Sequence, residues 1–261
     1  MRHRAQWRAI ISLVASSVAA VSLVAGCGGP EQAKDGPGAT AQLSPAPTAD
    51  TPPSTRVPVQ LVWSHTGQFF GETQVWYVAR VTNSDSSPAS VTLNVLALDA
   101  AGVIVGSSQN DLPNVPGNST FDYFGYLGGG GALNTKLTGR PAKIQVTGKP
   151  RLSQGDFPTL QTRQIRLAAG AQDTNTDAPF SYNLSANVTN TTGYELAGGV
   201  IQQVVLYDTT GRVVGGDTGS SDNVPESLPI SMTYREIWTG MPAVGKAARV
   251  VYTVWPSSPV G

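Results

Sequence analysis

The residues whose side chains could carry out a reaction are few and poorly grouped. The chain of 261 residues has two histidines, His3 at its extreme start and His65, so a Ser-His-Asp triad in the body would have to use His65. The adjacent Ser64 would point to the opposite face of a strand, and no Gly-x-Ser-x-Gly elbow occurs. Cys27 is the only cysteine, which excludes an internal disulfide and a thiolate metal cluster. Asp173-Thr174-Asn175-Thr176-Asp177 has the opening spacing of a calcium loop, but Ala178 stands where that loop needs glycine and no glutamate closes it. It reads as a polar turn between strands. Glu72, Glu195, Glu226 and Glu236 are spread among loops and strand edges, and nothing groups them as glycoside hydrolysis requires. Gly128-Gly129-Gly130-Gly131 lacks the Lys-Ser/Thr pair and the helix of a phosphate loop, and reads as a mobile loop tip. The expectation is a protein with no catalytic residue, metal site or cofactor.

Aromatic residues are the stronger surface candidates. Trp63, Phe69, Phe70, Trp76 and Tyr77 crowd one stretch, and Phe121, Tyr123, Phe124 and Tyr126 another. Strict alternation along a strand puts Phe121 and Tyr123 on one face, Phe124 and Tyr126 on the other. A core absorbs one face, and the other needs a cover. Trp76, Phe124 and Tyr126 therefore form the candidate partner or inter-domain surface.

The elements that position these residues occur twice. Val81-Thr82-Asn83 recurs as Val188-Thr189-Asn190, and Leu98-Asp99-Ala100-Ala101-Gly102 as Tyr207-Asp208-Thr209-Thr210-Gly211. Asn114-Val115-Pro116 recurs as Asn223-Val224-Pro225, and Ala142-Lys143-Ile144 as Ala248-Arg249-Val250. The four offsets, 106 to 109 residues, match a duplicated domain rather than a short solenoid repeat. Each copy alternates as strands do: Val75, Tyr77, Ala79 and Val81 in the first, Tyr182, Leu184, Ala186 and Val188 in the second. Strands are predicted at Val91 to Leu98 and Val200 to Tyr207, each closed by Asp-x-x-Gly, the residues of a type I turn. Short return strands follow at Val103 to Val105 and Val213 to Val214. Later strands are expected at Thr120 to Leu127, Leu228 to Trp238, Ala142 to Thr147 and Ala248 to Val254. Many short strands with regular turn signals predict an all-β fold of two tandem β-sandwich domains.

Val204-Val205-Leu206-Tyr207-Asp208-x-x-Gly211, with Val188-Thr189-Asn190 before it and Asn223-Val224-Pro225 after it, resembles the FxLYD domain. The resemblance implies an immunoglobulin-like module of bacterial extracytoplasmic proteins, with no catalytic residues to carry over. Val204 stands where that pattern has Phe. The first copy departs further, with Val95, Ala97 and Leu98 in place of Phe, Leu and Tyr, while Asp99 and Gly102 keep the turn.

The start of the chain carries a different signal. Arg2, Arg4 and Arg8 precede an apolar run from Ala9 that ends in Val24, Ala25, Gly26 and Cys27. This resembles a bacterial lipoprotein signal with its lipobox, which implies a diacylglyceryl group on Cys27 and cleavage before it. Two acyl chains hold a protein at a membrane where one is marginal. The run is shorter than the ~20 residues of a spanning helix. Loss of three arginines turns 17 basic and 17 acidic residues into 14 and 17, so the mature chain is mildly acidic and lacks the basic footprint of nucleic-acid binding.

The organisation expected is a signal peptide over 1–26, Cys27 and a disordered Pro/Thr/Ala/Gly-rich tether over 27–56, a sandwich over 57–149, a linker over 150–160, a second sandwich over 161–256 and a tail over 257–261. The expected location is the extracytoplasmic face of a bacterial cell membrane, held by the N-terminal lipid. The expected role is a non-catalytic binding or scaffolding module that meets an envelope protein. The alternative is a solute, glycan or lipid binder using an inter-domain cleft.

Overall fold

In β3 (Val91–Leu98) every second side chain is buried: Val91, Leu93, Val95 and Ala97 face inward and the residues between them are half-buried. That period of two is the strand signature, and it recurs through the chain. The computed structural model describes residues 57–129, 136–151 and 156–260. The signal segment with Val24, Ala25, Gly26 and Cys27, the tether and half of the Gly128–Gly131 run lie outside the described residues.

Among the described residues there are twelve strands and no helix, and every pairing is antiparallel. The first six are β1 (Val59–Phe69), β2 (Glu72–Asn83), β3, β4 (Ile104–Asp111), β5 (Ser119–Gly128) and β6 (Lys143–Pro150). They form two sheets, β1-β2-β5 and β4-β3-β6, that enclose a core around Tyr77, Leu93 and Leu127. The second six are β7 (Gln161–Ala169), β8 (Phe180–Thr189), β9 (Val200–Tyr207), β10 (Val213–Ser220), β11 (Thr233–Ala243) and β12 (Arg249–Pro256). They pair in the same way, β7-β8-β11 and β10-β9-β12, around Leu184, Leu206 and Met241. Only the bridge Gly215 to Ala243 joins these two sheets edge to edge. The duplication read from four short motifs is thus a duplication of strand pairing, and the chain from Ser54 to Gly261 forms one compact unit.

The repeated motifs are explained by backbone bonding. Asp99 Oδ1 accepts the N–H groups of Ala101 and Val103, and Gly102 closes the turn at φ 84°. Asp208 Oδ1 does the same with Thr210 and Arg212, and Gly211 has φ 82°. Asn83 donates its side-chain amide to the carbonyls of Ser87, Val115 and Pro116. Asn190 donates to those of Tyr194, Leu228 and Pro229. Each Asn is buried and ties two loops to the end of a strand.

These bonds correct part of the repeat alignment. The counterpart of Val115-Pro116 is Leu228-Pro229, not Val224-Pro225, because Val115 bridges Ala89 as Leu228 bridges Leu196. The second copy has four more residues between its Asp-x-x-Gly turn and this point, and Pro225, an earlier Pro close after Asn223, decoyed the match. Strand β11 accordingly starts at Thr233 rather than Leu228, after a turn in which Ser231 has φ 65°. The return strands β4 and β10 run eight residues each, longer than expected, because they pair with β3 from Thr92 to Leu98 and with β9 from Ile201 to Tyr207. Strands β1 and β7 had no clear sequence signal. Each is interrupted by a bulge, between Leu61 and Trp63 and between Arg163 and Arg166, which breaks the alternation.

The described residues on either side of 152–155, between the halves, are packed. Arg151 lies over the Phe157 ring at 4.3 Å and donates to the Leu112 carbonyl at 2.8 Å. Asp156 and Val260 exchange two backbone bonds, so the tail returns to the linker. Asn190→Ala removes three side-chain bonds, although each carbonyl keeps one other donor (the Thr192 hydroxyl, the Leu196 N–H and the Met232 N–H), and a net hydrogen bond contributes about 0.5–1.5 kcal/mol. Urea unfolding should show a loss of roughly 2 kcal/mol or more. Asn83→Ala should do the same, and the pair should be near-additive since the two residues share no partner.

Candidate functional site

Trp76 and Phe124 are not on an outer surface. Trp76 (3% exposed) and Phe124 (1%) lie on the faces of β2 and β5 that turn away from the first core, where they meet Ala178, Val205 and Tyr207 of the second half. Tyr126 is half-buried against the same cluster. Of the two roles expected for this surface, towards a partner or between domains, Trp76 and Phe124 take the second, since the second half of the same chain covers them. Burial of a side chain such as Phe124 contributes about 1.5–3 kcal/mol. His65 belongs to this seam as well, between Trp63 (6.3 Å) and Trp76 (5.4 Å) with its ring 17° from each. Ser64 and His65 pair with successive residues, Tyr77 and Trp76, and so sit on opposite faces of β1.

A glutamine fastens the seam. Gln203 is fully buried, and its side-chain amide bonds the backbone of β5 twice: Oε1 accepts the Phe124 N–H (3.1 Å) and Nε2 donates to the Asp122 carbonyl (2.8 Å). One side chain thus occupies part of the free edge of β5 as another strand would. Gly216 permits the approach, since a Cβ there would meet Phe124 at 2.8 Å and the Val204 carbonyl at 2.1 Å.

Beside it lies a charged network. Arg80 donates to both oxygens of Asp122 (2.7 and 2.8 Å), the Tyr207 hydroxyl donates to Asp122 Oδ2 (2.8 Å), and the Arg249 guanidinium lies 3.8 Å from the Tyr207 ring centre. Burial alone would raise the Asp122 carboxyl, but the bonds from Arg80 and Tyr207 outweigh it and hold its pKa below the usual carboxylate value. Burial and the bond to Asp122 push the Tyr207 phenol up. These groups act as fasteners between the halves.

The second half has a polar cluster inside its sandwich. Glu236 is 1% exposed in the middle of β11, not at an edge or in a loop as its sequence context suggested. Ser221 and Asn223 donate to it, and Gln202 lies at 3.5 Å. The Tyr252 hydroxyl in turn donates to Gln202 Oε1 at 2.8 Å. Asp217 pairs with Val204 and shares its core-facing side. The residue as a whole is half-buried, yet enclosure of its carboxyl pushes the pKa up to about 7, against a single bond from the Thr218 N–H.

One polar groove remains in solvent at the rim of the seam. It encloses about 580 Å³ between the β1–β2 hairpin and residues 136–140, with Gln68, Glu72, Thr73, Lys136, Arg140 and Asp177 on its walls. A second recess of about 440 Å³ shares Gln68, Gly71 and Asp177 and reaches Phe70. Lys136 pairs with Glu72 at 3.3 Å, an exposed contact of little energetic weight. The carboxylates of the 173–177 turn have local uses. Asp173 Oδ1 accepts the Asn175 N–H, and Asp177 Oδ1 accepts that of Gln68. Among the described residues no three His, Cys, Asp or Glu side chains gather as metal ligands.

No family model matches the chain, and no curated protein matches it in sequence.

Gln203 and Gln202 were the residues that sequence reasoning passed over. Their signal was present: two amides side by side in the apolar strand Val200 to Tyr207, one for each face. Gln203→Leu should cost about 2–4 kcal/mol by orphaning the Phe124 N–H and Asp122 carbonyl, measured by urea unfolding. Asp217→Asn should flatten the pH dependence of stability. A carboxyl raised in the folded state favours folding below its unfolded pKa of about 4 and loses that contribution as pH rises through about 7. Wild type should therefore lose melting temperature between pH 5 and 8, and the variant should lose less.

Proposed function

We propose that this chain is a lipid-anchored lipoprotein on the extracytoplasmic face of a bacterial cell membrane, and that its two immunoglobulin-like halves form a non-catalytic binding module of the cell envelope. The Val24-Ala25-Gly26-Cys27 signal supports the anchor, and the FxLYD-like residues around Asp208 support the class of module. The structural observation that favours binding over catalysis is the use made of the reactive groups. Asp122, Gln203 and Glu236 are bonded inward, His65 is stacked between two tryptophans, and a shaped polar groove is left facing solvent. The module presents this groove and its sheet edges to an envelope component.

The alternative, a small-ligand binder with its site between the halves, gains from one feature. The groove lies at the seam, with Asp177 of the second half on a wall otherwise built by the first.

Cross-linking in whole cells, followed by detergent extraction through a C-terminal tag, tests the first reading. An enriched envelope protein that disappears in Cys27→Ser, together with loss of membrane association and of the acyl mass, is the expected result. Unchanged membrane association and mass in Cys27→Ser would remove the lipoprotein assignment. An anchored protein with no enriched partner would favour the small ligand.

A further inference from the structure

The tip of the β1–β2 hairpin is built at a cost. Phe69 pairs with Glu72, so Phe70 and Gly71 form a two-residue turn, and both have positive φ, 51° and 77°. That is the geometry of a type I′ turn, whose first position favours Asn, Asp or Gly. A bulky aromatic at positive φ is an outlier, and such strain persists where surrounding structure enforces it and function uses it. The second half enforces it here: the Phe70 N–H donates to the Asn175 carbonyl at 2.7 Å, and Phe69 bridges Thr176. Packing gives no reason for the ring, which is 64% exposed and touches Phe69 edge-on at 4.7 Å between centres.

Phe70 lines the smaller polar recess, which adjoins the larger groove at Gln68, Gly71 and Asp177. Glu72 contributes a second irregularity: among the described residues its Oε2 is buried with no hydrogen-bond partner, while Oε1 accepts from the exposed Lys136. The oxygen beside Lys136 keeps a further lone pair with which to meet an incoming hydroxyl. Lining charges balance, with Glu72 and Asp177 against Lys136 and Arg140, and Leu137 also packs into the first core. A balanced, hydrogen-bonding wall beside one exposed aromatic face suits a ligand with many hydroxyls and an apolar ring face, and offers no net charge to a phosphate or a polycation.

We propose that the two adjoining recesses at the β1–β2 hairpin, which share Gln68, Gly71 and Asp177, together bind a neutral oligosaccharide, with Phe70 of the smaller as the stacking platform and Glu72 Oε1 of the larger as a hydroxyl acceptor. This rests on the ligand-binding form of the function proposed above. The full chain in detergent is applied to an array of neutral and acidic oligosaccharides, and the best neutral hit is titrated by calorimetry. Expected is saturable binding of at least one neutral oligosaccharide, weakened tenfold or more in Phe70→Asn and in Glu72→Gln. Phe70→Asn should at the same time melt at the same temperature as wild type or higher, because Asn-Gly is the preferred type I′ pair. A purely structural Phe70 would instead lower the melting temperature, which overturns the assignment. So does binding confined to acidic glycans, binding indifferent to both variants, or no binding at all. A protein partner captured in cells alongside an empty array would remove the oligosaccharide and leave the envelope-binding role standing.

Discussion

Strand β5 has a free edge and, beside β2, an apolar outer face. A first half standing alone would expose Trp76, Val78 and Phe124 together with unpaired backbone groups of β5. Either is a liability for a protein in water, since an exposed apolar face invites association and a free edge invites another strand. The second half answers both with one surface: Val205 and Tyr207 cover the rings, and the Gln203 amide takes the backbone groups. The amide matters more than its area suggests. A purely apolar cover would have buried the Phe124 N–H and the Asp122 carbonyl without partners, and the penalty would offset much of what burying the ring contributes.

The groove depends on the same seam. The backbone bonds from Phe70 to Asn175 and from Asp177 to Gln68 run along its rim, so the hairpin tip and the 173–177 turn are held in register by the packing of Trp76 and Phe124 beneath them. Gly67 belongs to this arrangement, because a Cβ at that position would meet the Asp177 carboxylate at 2.7 Å and the Trp76 ring at 3.2 Å. Strain at Phe70 is therefore carried by contacts some distance from the ring itself. A protein without disulfides keeps a two-part site rigid through its core rather than through cross-links.

Legibility in the sequence followed the range of the interactions. Period-two alternation and Asp-x-x-Gly turns are local, and β3, β9 and their turns formed where those residues predicted. The repeat was visible because Asn83 and Asn190 serve the same loop geometry. Its alignment failed at Asn223-Val224-Pro225, where a short motif recurs in a longer loop and only the bridge Leu196 to Leu228 reveals the true partner. Alternation also said that Phe124 and Tyr126 share a face in need of a cover, but it cannot say what provides one. The residues that do so, Val205 and Tyr207, look like ordinary core positions. Glu236 read as a loop or strand-edge residue for the same reason: its donors Ser221 and Asn223 come from a loop 15 and 13 residues earlier in the chain.

Comparison of the copies explains why one seam forms and not a series. Register pairs Val78 with Phe124 in the first half and Ser185 with Ile237 in the second, and Asn183 holds the place of Trp76. The covered apolar face of β2 and β5 is thus answered by a mostly polar one on β8 and β11, with Ile237 left 52% exposed. On the facing side, Gln203 and Tyr207 replace Asn94 and Leu98. A head-to-tail contact between identical repeats would continue into a third copy and beyond. Here each copy keeps only one half of the contact, so the stack closes at two. The interiors diverged as well: Gln202 and Glu236 occupy the places of Leu93 and Tyr123, so the polar cluster is confined to the second sandwich. Duplication supplied the strand pairing, and the later substitutions divided the work. The first half carries the groove and the strained hairpin, and the second carries the clamp that holds them.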